Sequence, residues 1–243
     1  MITDQILKKT CIIIPCYNEQ DCIGSLIDQV AEFVPFAKIL VIDDCSKDNS
    51  REIIRKTKKA ELLELPVNIG IGGTVQAGLK YANKYGYEYV VRLDGDGQHP
   101  PKYIKKMLMP LINDEADITI GSRFMILQSG FKSTFFRRLG IKIFSLLNKL
   151  ILKRNITDST SGYRAYNRQL IEFLDTNYPS FDYPEPEAVI LLGKNGFRIA
   201  EVAVKMIDRI GGNSSIHSLK PVYYMVKVVF AIFMVALRPK VNK

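Results

Sequence analysis

The chain is poor in the residues that build zinc centres and membrane spans. It has only two histidines in 243 residues, and its four cysteines (Cys11, Cys16, Cys22, Cys45) all fall in the first fifth, with no C-x-x-C pair. That spacing excludes a sequence-local zinc site and suits small buried thiols kept reduced in a cytosolic setting. No apolar run reaches the ~20 residues a bilayer span requires, since the longest charge-free stretch near the C-terminus is only Val228–Leu237. The polar segment 1–9 has no h-region, so no signal peptide is expected. Internal repeats are absent, which removes solenoid and propeller architectures.

What is present is a foldable composition, with 47% apolar residues and a formal net charge of +9. An excess of that sign serves a phosphorylated substrate, an anionic membrane surface or nucleic acid. The basic residues alternate with aliphatic side chains and not with stacking aromatics, which argues against nucleic acid.

Short apolar runs at 10–14, 38–42, 62–65 and 87–93 read as buried strands. Helical spacing at 21–33, 46–59 and 72–85 separates them, with Ser46 or Asp48 as a candidate cap of the second helix. Four alternations in about a hundred residues predict an α/β fold, a mostly parallel sheet wound with helices. Further on, 102–111 reads as a helix behind Pro100-Pro101, 117–120 as a strand, 158–164 as a polar loop, 187–195 as a helix and 198–205 as a last strand. In such sheets ligands collect at the carboxyl ends of strands. Pro15–Glu19, Asp43-Asp44, 68–73 and 94–99 all fall there, and this convergence points to a nucleotide site.

The most telling stretch is Asp94-Gly95-Asp96-Gly97-Gln98-His99-Pro100-Pro101. Two carboxylates one residue apart at a strand end supply oxygen ligands for Mg²⁺ or Mn²⁺, which would neutralise a departing diphosphate. The alternative is an Asp-Gly turn. His99 before Pro-Pro reads as a turn residue before it reads as a base.

With Pro15-Cys16-Tyr17-Asn18-Glu19, Asp43-Asp44-Cys45-Ser46-Lys47-Asp48 and Asn68-Ile69-Gly70-Ile71-Gly72 in this order, residues 11–215 resemble a family 2 glycosyltransferase of the GT-A nucleotide-diphospho-sugar transferase fold. Gly121-Ser122-Arg123, Thr160-Ser161-Gly162-Tyr163-Arg164 and Asp208-Arg209-Ile210-Gly211-Gly212 are similar to the dolichyl-phosphate mannose synthase branch and its bacterial polyprenyl-phosphate relatives. The chain departs from that pattern at Ser214-Ser215-Ile216, where a lysine usually follows the first serine. It departs again at Tyr183-Pro184-Glu185-Pro186-Glu187, where Gln-x-Glu is usual.

The resemblance implies roles. Pro15, Tyr17 and Glu19 would shape the nucleoside pocket, and Asp44, or in second place Asp43, would bind the base. The alternative for that acidic pair is to end a strand and cap the next helix. Gly70, Gly72 and Gly73 would admit the backbone close to the nucleotide. Asp94 would face nucleotide and sugar, and Asp96 would bind the metal, with Asp94 and Gln98 completing its oxygen shell. Arg123, Arg137 or Arg138, and Arg209 would hold phosphates. A phosphate acceptor needs no general base. For a hydroxyl acceptor the candidates are Asp182, Glu185 and Glu187, and with a phosphate Glu187 would instead orient the sugar.

Residues 131–154 mix Lys and Arg with Phe, Leu and Ile, and 222–237 is apolar with one lysine. Both read as interfacial helices on an anionic membrane, with docking on a small membrane-protein subunit as the alternative for the second. The expectation is thus a glycosyltransferase domain over 1–218 and a membrane-associating helix over 219–243. It would be an inverting, metal-dependent enzyme at the cytoplasmic membrane face. The sugar would pass from a nucleotide-diphosphate donor to a polyprenyl phosphate, or alternatively to a sugar hydroxyl of a lipid-linked glycan in cell-surface polysaccharide synthesis. A non-catalytic subunit of a membrane complex is the alternative of another class.

Overall fold

The computed structural model describes residues 2–125, 144, 147–179, 184–208 and 220–241. Arg137, Arg138, Asp182, Arg209 and the segment 211–215, all singled out above, lie outside them.

After a short helix α1 (Asp4–Lys8), the first half alternates strand and helix: β1 (Thr10–Cys16), α2 (Ile23–Phe33), β2 (Lys38–Asp43), α3 (Ser50–Thr57), β3 (Glu61–Glu64), α4 (Gly70–Lys84) and β4 (Tyr89–Arg92). A 3₁₀ turn, Pro101–Tyr103, leads into α5 (Ile104–Ile112), then β5 (Ile118–Ser122). Helical residues 147–152 form α6. The rest is β6 (Arg164–Asn167), α7 (Arg168–Asn177), α8 (Glu185–Lys194), β7 (Ile199–Ala203) and α9 (Lys220–Leu237).

The strands make one sheet in the order β3-β2-β1-β4-β6-β5-β7. β1 pairs in parallel with β2 and β4, and β2 with β3. β6 runs antiparallel between β4 and β5, while β5 and β7 pair in parallel. Because successive side chains point to opposite faces, β1 feeds two cores. Cys11 and Ile13 join Leu40, Val90, Val75 and Leu79 on one face. Ile12 and Ile14 join Val41, Val91, Leu26 and Met107 on the other.

The third helix differs from its sequence reading. It starts at Ser50, and neither Ser46 nor Asp48 is its N-cap. Residues 46–49 are drawn instead into a loop bonded to the end of β1. Three elements were missed, the short α1 among them. The strand β6 is the four-residue RAYN, whose Arg164 hides its apolar pattern. The helix α7 is announced by Asn167, whose side chain accepts a hydrogen bond from the Leu170 N–H (3.0 Å).

Candidate functional site

The loops at the carboxyl ends of β1, β2 and β4 are fastened into one rim. The Asp44 N–H donates to the Cys16 carbonyl (2.9 Å) and the Gly95 N–H to that of Pro15 (3.1 Å). The Asn18 and Glu19 amides donate to Ser46 Oγ and Ser50 Oγ (3.0 and 2.9 Å), and Lys47 N–H to Asn18 Oδ1 (2.7 Å). Asn18 and Cys45 take left-handed backbone here, a sparsely populated conformation for such residues that the surrounding bonds hold in place. A Cβ on Gly95 would meet the Pro15 carbonyl at 2.8 Å, so only glycine allows this approach. Tyr17 stands exposed on the rim.

The acidic pair after β2 divides its work. Asp44 spans the entry to α4, Oδ1 accepting from Ile69 N–H (2.7 Å) and Oδ2 from Gly70 N–H (2.9 Å). Asp44 thus satisfies the first amides of α4 and does not cap the next helix, α3, as the alternative above had it. Asp43 is fully buried. Its Oδ2 accepts from Ser46 N–H and from Arg51 Nε (3.0 and 2.6 Å), while Oδ1 has no partner among the described residues. That leaves Asp43, placed second from sequence, with the spare acceptor. Gly70 has positive φ and Gly72 is buried in the first turn of α4.

Beyond β4 the acidic loop is ordered by its own groups. Asp94 Oδ1 accepts from Arg92 Nε and Nη2 (3.1 and 2.9 Å), and Arg92 Nη1 reaches Glu185 Oε1 (2.7 Å). Burial, the largest single influence, would raise the Asp94 carboxyl, but the groups around it, the Arg92 guanidinium foremost, together hold it below the usual carboxylate range. Asp96 Oδ1 accepts from the Gln98 N–H (3.0 Å). Gln98 Nε2 donates to the Ile207 carbonyl (3.4 Å), and Ile207 N–H to that of Gln98 (3.2 Å), which ties this loop to the segment beyond β7.

Asp94, Asp96 and Gln98 offer only hard oxygen donors. Among the described residues no group of three His, Cys, Asp or Glu could hold a metal ion. Two carboxylates and an amide oxygen suit a cation such as Mg²⁺, which keeps waters and takes substrate phosphate oxygens to fill its shell.

His99 is buried, and its Nδ1 accepts from the Asp94 N–H (3.0 Å). Burial lowers its pKa against the pull of Asp94 and Asp96. Its ring stacks on Tyr163, whose hydroxyl donates to the Pro100 carbonyl (3.1 Å). His99 is thus a neutral brace of the loop.

Arg123, given a phosphate by the resemblance, is held by Asp158 in this structure. Its Nε and Nη2 form a two-pronged pair with buried Asp158 (both 2.7 Å), and Nη2 also reaches Thr160 Oγ1 (2.9 Å). A fork closed on a carboxylate is not spread for a phosphate. Glu187, in the first turn of α8, is buried and its carboxyl is pushed up to about 7 by burial and then by Glu185, with Lys227 and Arg238 pulling the other way. Sequence reasoning missed Arg92 and the parts played by Gly162 and Arg164. An arginine inside an otherwise apolar strand, two positions before Asp94, was the available signal for the first.

A family model described as Glycosyl transferase family 2 matches residues 11–174. The UDP-N-acetylglucosamine–dolichyl-phosphate N-acetylglucosaminyltransferase of Methanococcus voltae is 30% identical, over 81% of this chain and 84% of that protein. The undecaprenyl-phosphate mannosyltransferase of Micrococcus luteus is 30% identical, over 83% and 85%. The polyprenol monophosphomannose synthase of Mycolicibacterium smegmatis is 29% identical, over 83% and 78%. Glucosyl-3-phosphoglycerate synthase from Mycobacterium tuberculosis, solved with Mn²⁺, UDP and glucosyl-3-phosphoglycerate, superposes with a TM-score of 0.74 at 17% identity, covering 98% of this chain and 85% of that one. The likeness to that structure speaks for the fold, which is GT-A. The family match spans more than half the sequence and takes in the whole rim from Pro15 to Asp96, and on that ground the chain belongs to glycosyl transferase family 2.

Proposed function

We propose that this chain moves a sugar, with inversion, from a nucleotide-diphosphate donor to a polyprenyl phosphate at the cytoplasmic face of the membrane. The observation that carries the reading is the joining of the β1, β2 and β4 loops into one rim, with Asp94 and Asp96 on it. Relatives that act on dolichyl, polyprenyl and undecaprenyl phosphates support the acceptor.

Within the reading, the rim from Pro15 to Glu19 with the Asp43-Asp44 turn takes the nucleoside, and Asp94 faces the sugar. Asp96 and Gln98, with Asp94 Oδ2, would hold Mg²⁺ or Mn²⁺, which supplies charge neutralisation for the leaving diphosphate. An acceptor phosphate is already anionic, so the protein needs only to position it and exclude water.

Membrane association is assigned to α9. Among the described residues no helix is long and apolar enough to cross a membrane. In α9, Val228, Ile232 and Val235 are buried, while Phe230, Phe233, Met234 and Leu237 are exposed along one stripe at helical spacing. The charged residues of α9 and the tail behind it are all basic (Lys220, Lys227, Arg238, Lys240, Lys243), which complements an anionic lipid surface. A small membrane subunit on the same stripe is the competing occupant.

Glu187 favours one second reading, transfer to a sugar hydroxyl. With Glu185 committed to Arg92, a carboxyl titrating at about 7 is suited to take a proton. The experiment offers labelled UDP- and GDP-sugars with Mg²⁺ or Mn²⁺ to the purified chain, with polyprenyl phosphate or a lipid-linked sugar as acceptor. Label on the bare lipid phosphate upholds the first reading. Label only on the glycosylated lipid, with a rising pH limb near 7 that Glu187→Gln removes, replaces it with the second.

A further inference from the structure

Arg92 and Arg164 are directly opposed across the antiparallel β4–β6 pair, and both are almost completely buried. Like charges facing each other across strands repel, and more so away from water. Two carboxylates offset them: Asp94, two residues beyond Arg92 and so on the same sheet face, and Glu185, which arrives from the start of α8. Arg164 donates to the carbonyls of Ser161, Ser159 and Glu185 (2.9, 2.9 and 2.8 Å). Both arginines therefore grip Glu185, one by its side chain and the other by its backbone. Pro184 and Pro186 flank it and stiffen the entry to the helix.

The other side of Asp94 is closed as tightly. A Cβ on Gly162 would lie 2.5 Å from Asp94 Oδ2 and 3.0 Å from Arg92 Nη2. Asp94 thus has one oxygen fastened by a two-pronged contact, and a glycine admits the other. This chain sets Glu185, flanked by Pro184 and Pro186, beside Arg92. A glutamine at 185 would leave two buried guanidiniums facing a single carboxylate. Glu185 answers that excess.

We propose that Glu185, acting through Arg92, is a positioning residue that sets the orientation of the Asp94 carboxylate toward the sugar donor. This rests on the reading that Asp94 faces the donor. Glu185 touches no substrate; it fixes Arg92, and Arg92 fixes Asp94 Oδ1. Displacing a reacting group by about an ångström costs on the order of 100-fold in rate.

The test is Glu185→Gln in the full chain, with three readouts. These are nucleoside diphosphate release from UDP- and GDP-sugars by hydrolysis without lipid, transfer to polyprenyl phosphate, and calorimetric affinity for UDP or GDP without added metal. The expected result is a fall of roughly 10- to 100-fold in kcat for both reactions, with metal-free diphosphate affinity within about threefold of wild type, since the nucleoside rim is untouched. Glu185→Asp, which restores the charge one methylene short, is expected to recover part of the rate. Wild-type kcat in Glu185→Gln overturns the proposal. So does parallel loss of rate and diphosphate affinity, the mark of a purely structural ion pair, and so does failure of both variants to fold. If Glu185→Gln alone fails to fold, Glu185→Asp is judged by the same readouts. A wild type that releases diphosphate to water but never labels polyprenyl phosphate defeats the proposed acceptor and leaves this test standing. A wild type that binds no nucleoside diphosphate defeats both.

Discussion

Glu187 stores a pH dependence in a single side chain. Its carboxyl titrates at about 7 in the fold against an ordinary value of 4.5, because burial and then the neighbouring Glu185 disfavour its charge. Between those two values the native state keeps a proton that the unfolded chain has released, so stability falls as pH rises through the window. The full effect is on the order of 3 kcal/mol. Wild type is expected to lose more thermal stability than Glu187→Gln between pH 5 and 8, as melting curves of the two across that range would reveal. Parallel curves would remove Glu187 as the source. Gly162 is an equally sharp test of packing. Its missing side chain is what lets Asp94 Oδ2 lie where it does, so Gly162→Ala must shift Asp94 or the 158–162 loop. A loss of about 1–3 kcal/mol is expected from the overpacking, with turnover falling by at least tenfold through the displaced carboxylate. Chemical denaturation and initial rates on the same preparation separate the two effects.

Among the elements, α9 is held at one end by α8, where Lys194 Nζ donates to the carbonyls of Val235 (3.2 Å) and Arg238 (2.7 Å) and also to that of Ala236. A cation at a helix C-terminus satisfies carbonyls that the helix itself leaves unpaired. The exposed aromatic stripe therefore projects from an anchored helix. Burying one phenylalanine is worth about 1.5–3 kcal/mol, so the double change Phe230→Ser, Phe233→Ser is expected to weaken binding to anionic vesicles by tenfold or more. Sedimentation with phosphatidylglycerol and with phosphatidylcholine vesicles checks it. Equal binding by variant and wild type, or indifference of the wild type to lipid charge, would assign the stripe to another occupant. The elements also show where sequence reading runs out. The parallel strands were legible because each is a short apolar run closed by polar residues. β6 was not, since its four residues hold only Ala165 and Tyr166 between a buried arginine and an asparagine, too short an apolar run to be read as a strand; Arg164 becomes intelligible only when Asp94 and Glu185 are seen beside it. The start of α3 was misplaced because Ser46 and Asp48 have the chemistry of a cap but spend it on the neighbouring loop, accepting from Asn18 and Gln20 amides.

At the scale of the whole molecule, the chain is two half-sheets joined at one antiparallel seam. The half made of β1 to β4 has the residues legible in sequence as a nucleotide rim. The half made of β5 to β7 delivers Arg164, Gly162 and, through α8, Glu185 to the underside of Asp94, pairings between distant segments that no local pattern encodes. Ligand binding to the rim should therefore stabilise the molecule across the seam. A ligand at about 100 times its Kd adds about 2.7 kcal/mol to stability. On the proposed reading Asp94 and Asp96 would make a metal shell that is incomplete without substrate phosphates, so cation and nucleotide should each be weak alone and strong together. Melting the protein with Mn²⁺ alone, with UDP or GDP alone and with both measures that interdependence. The pair is expected to raise the melting temperature by more than the sum of the separate shifts, and the excess should vanish with a chelator or in Asp96→Ala, which is also expected to abolish metal-dependent turnover. Additive shifts in wild type, or an undiminished excess in Asp96→Ala, would place the cation elsewhere and take Asp96 out of the metal site.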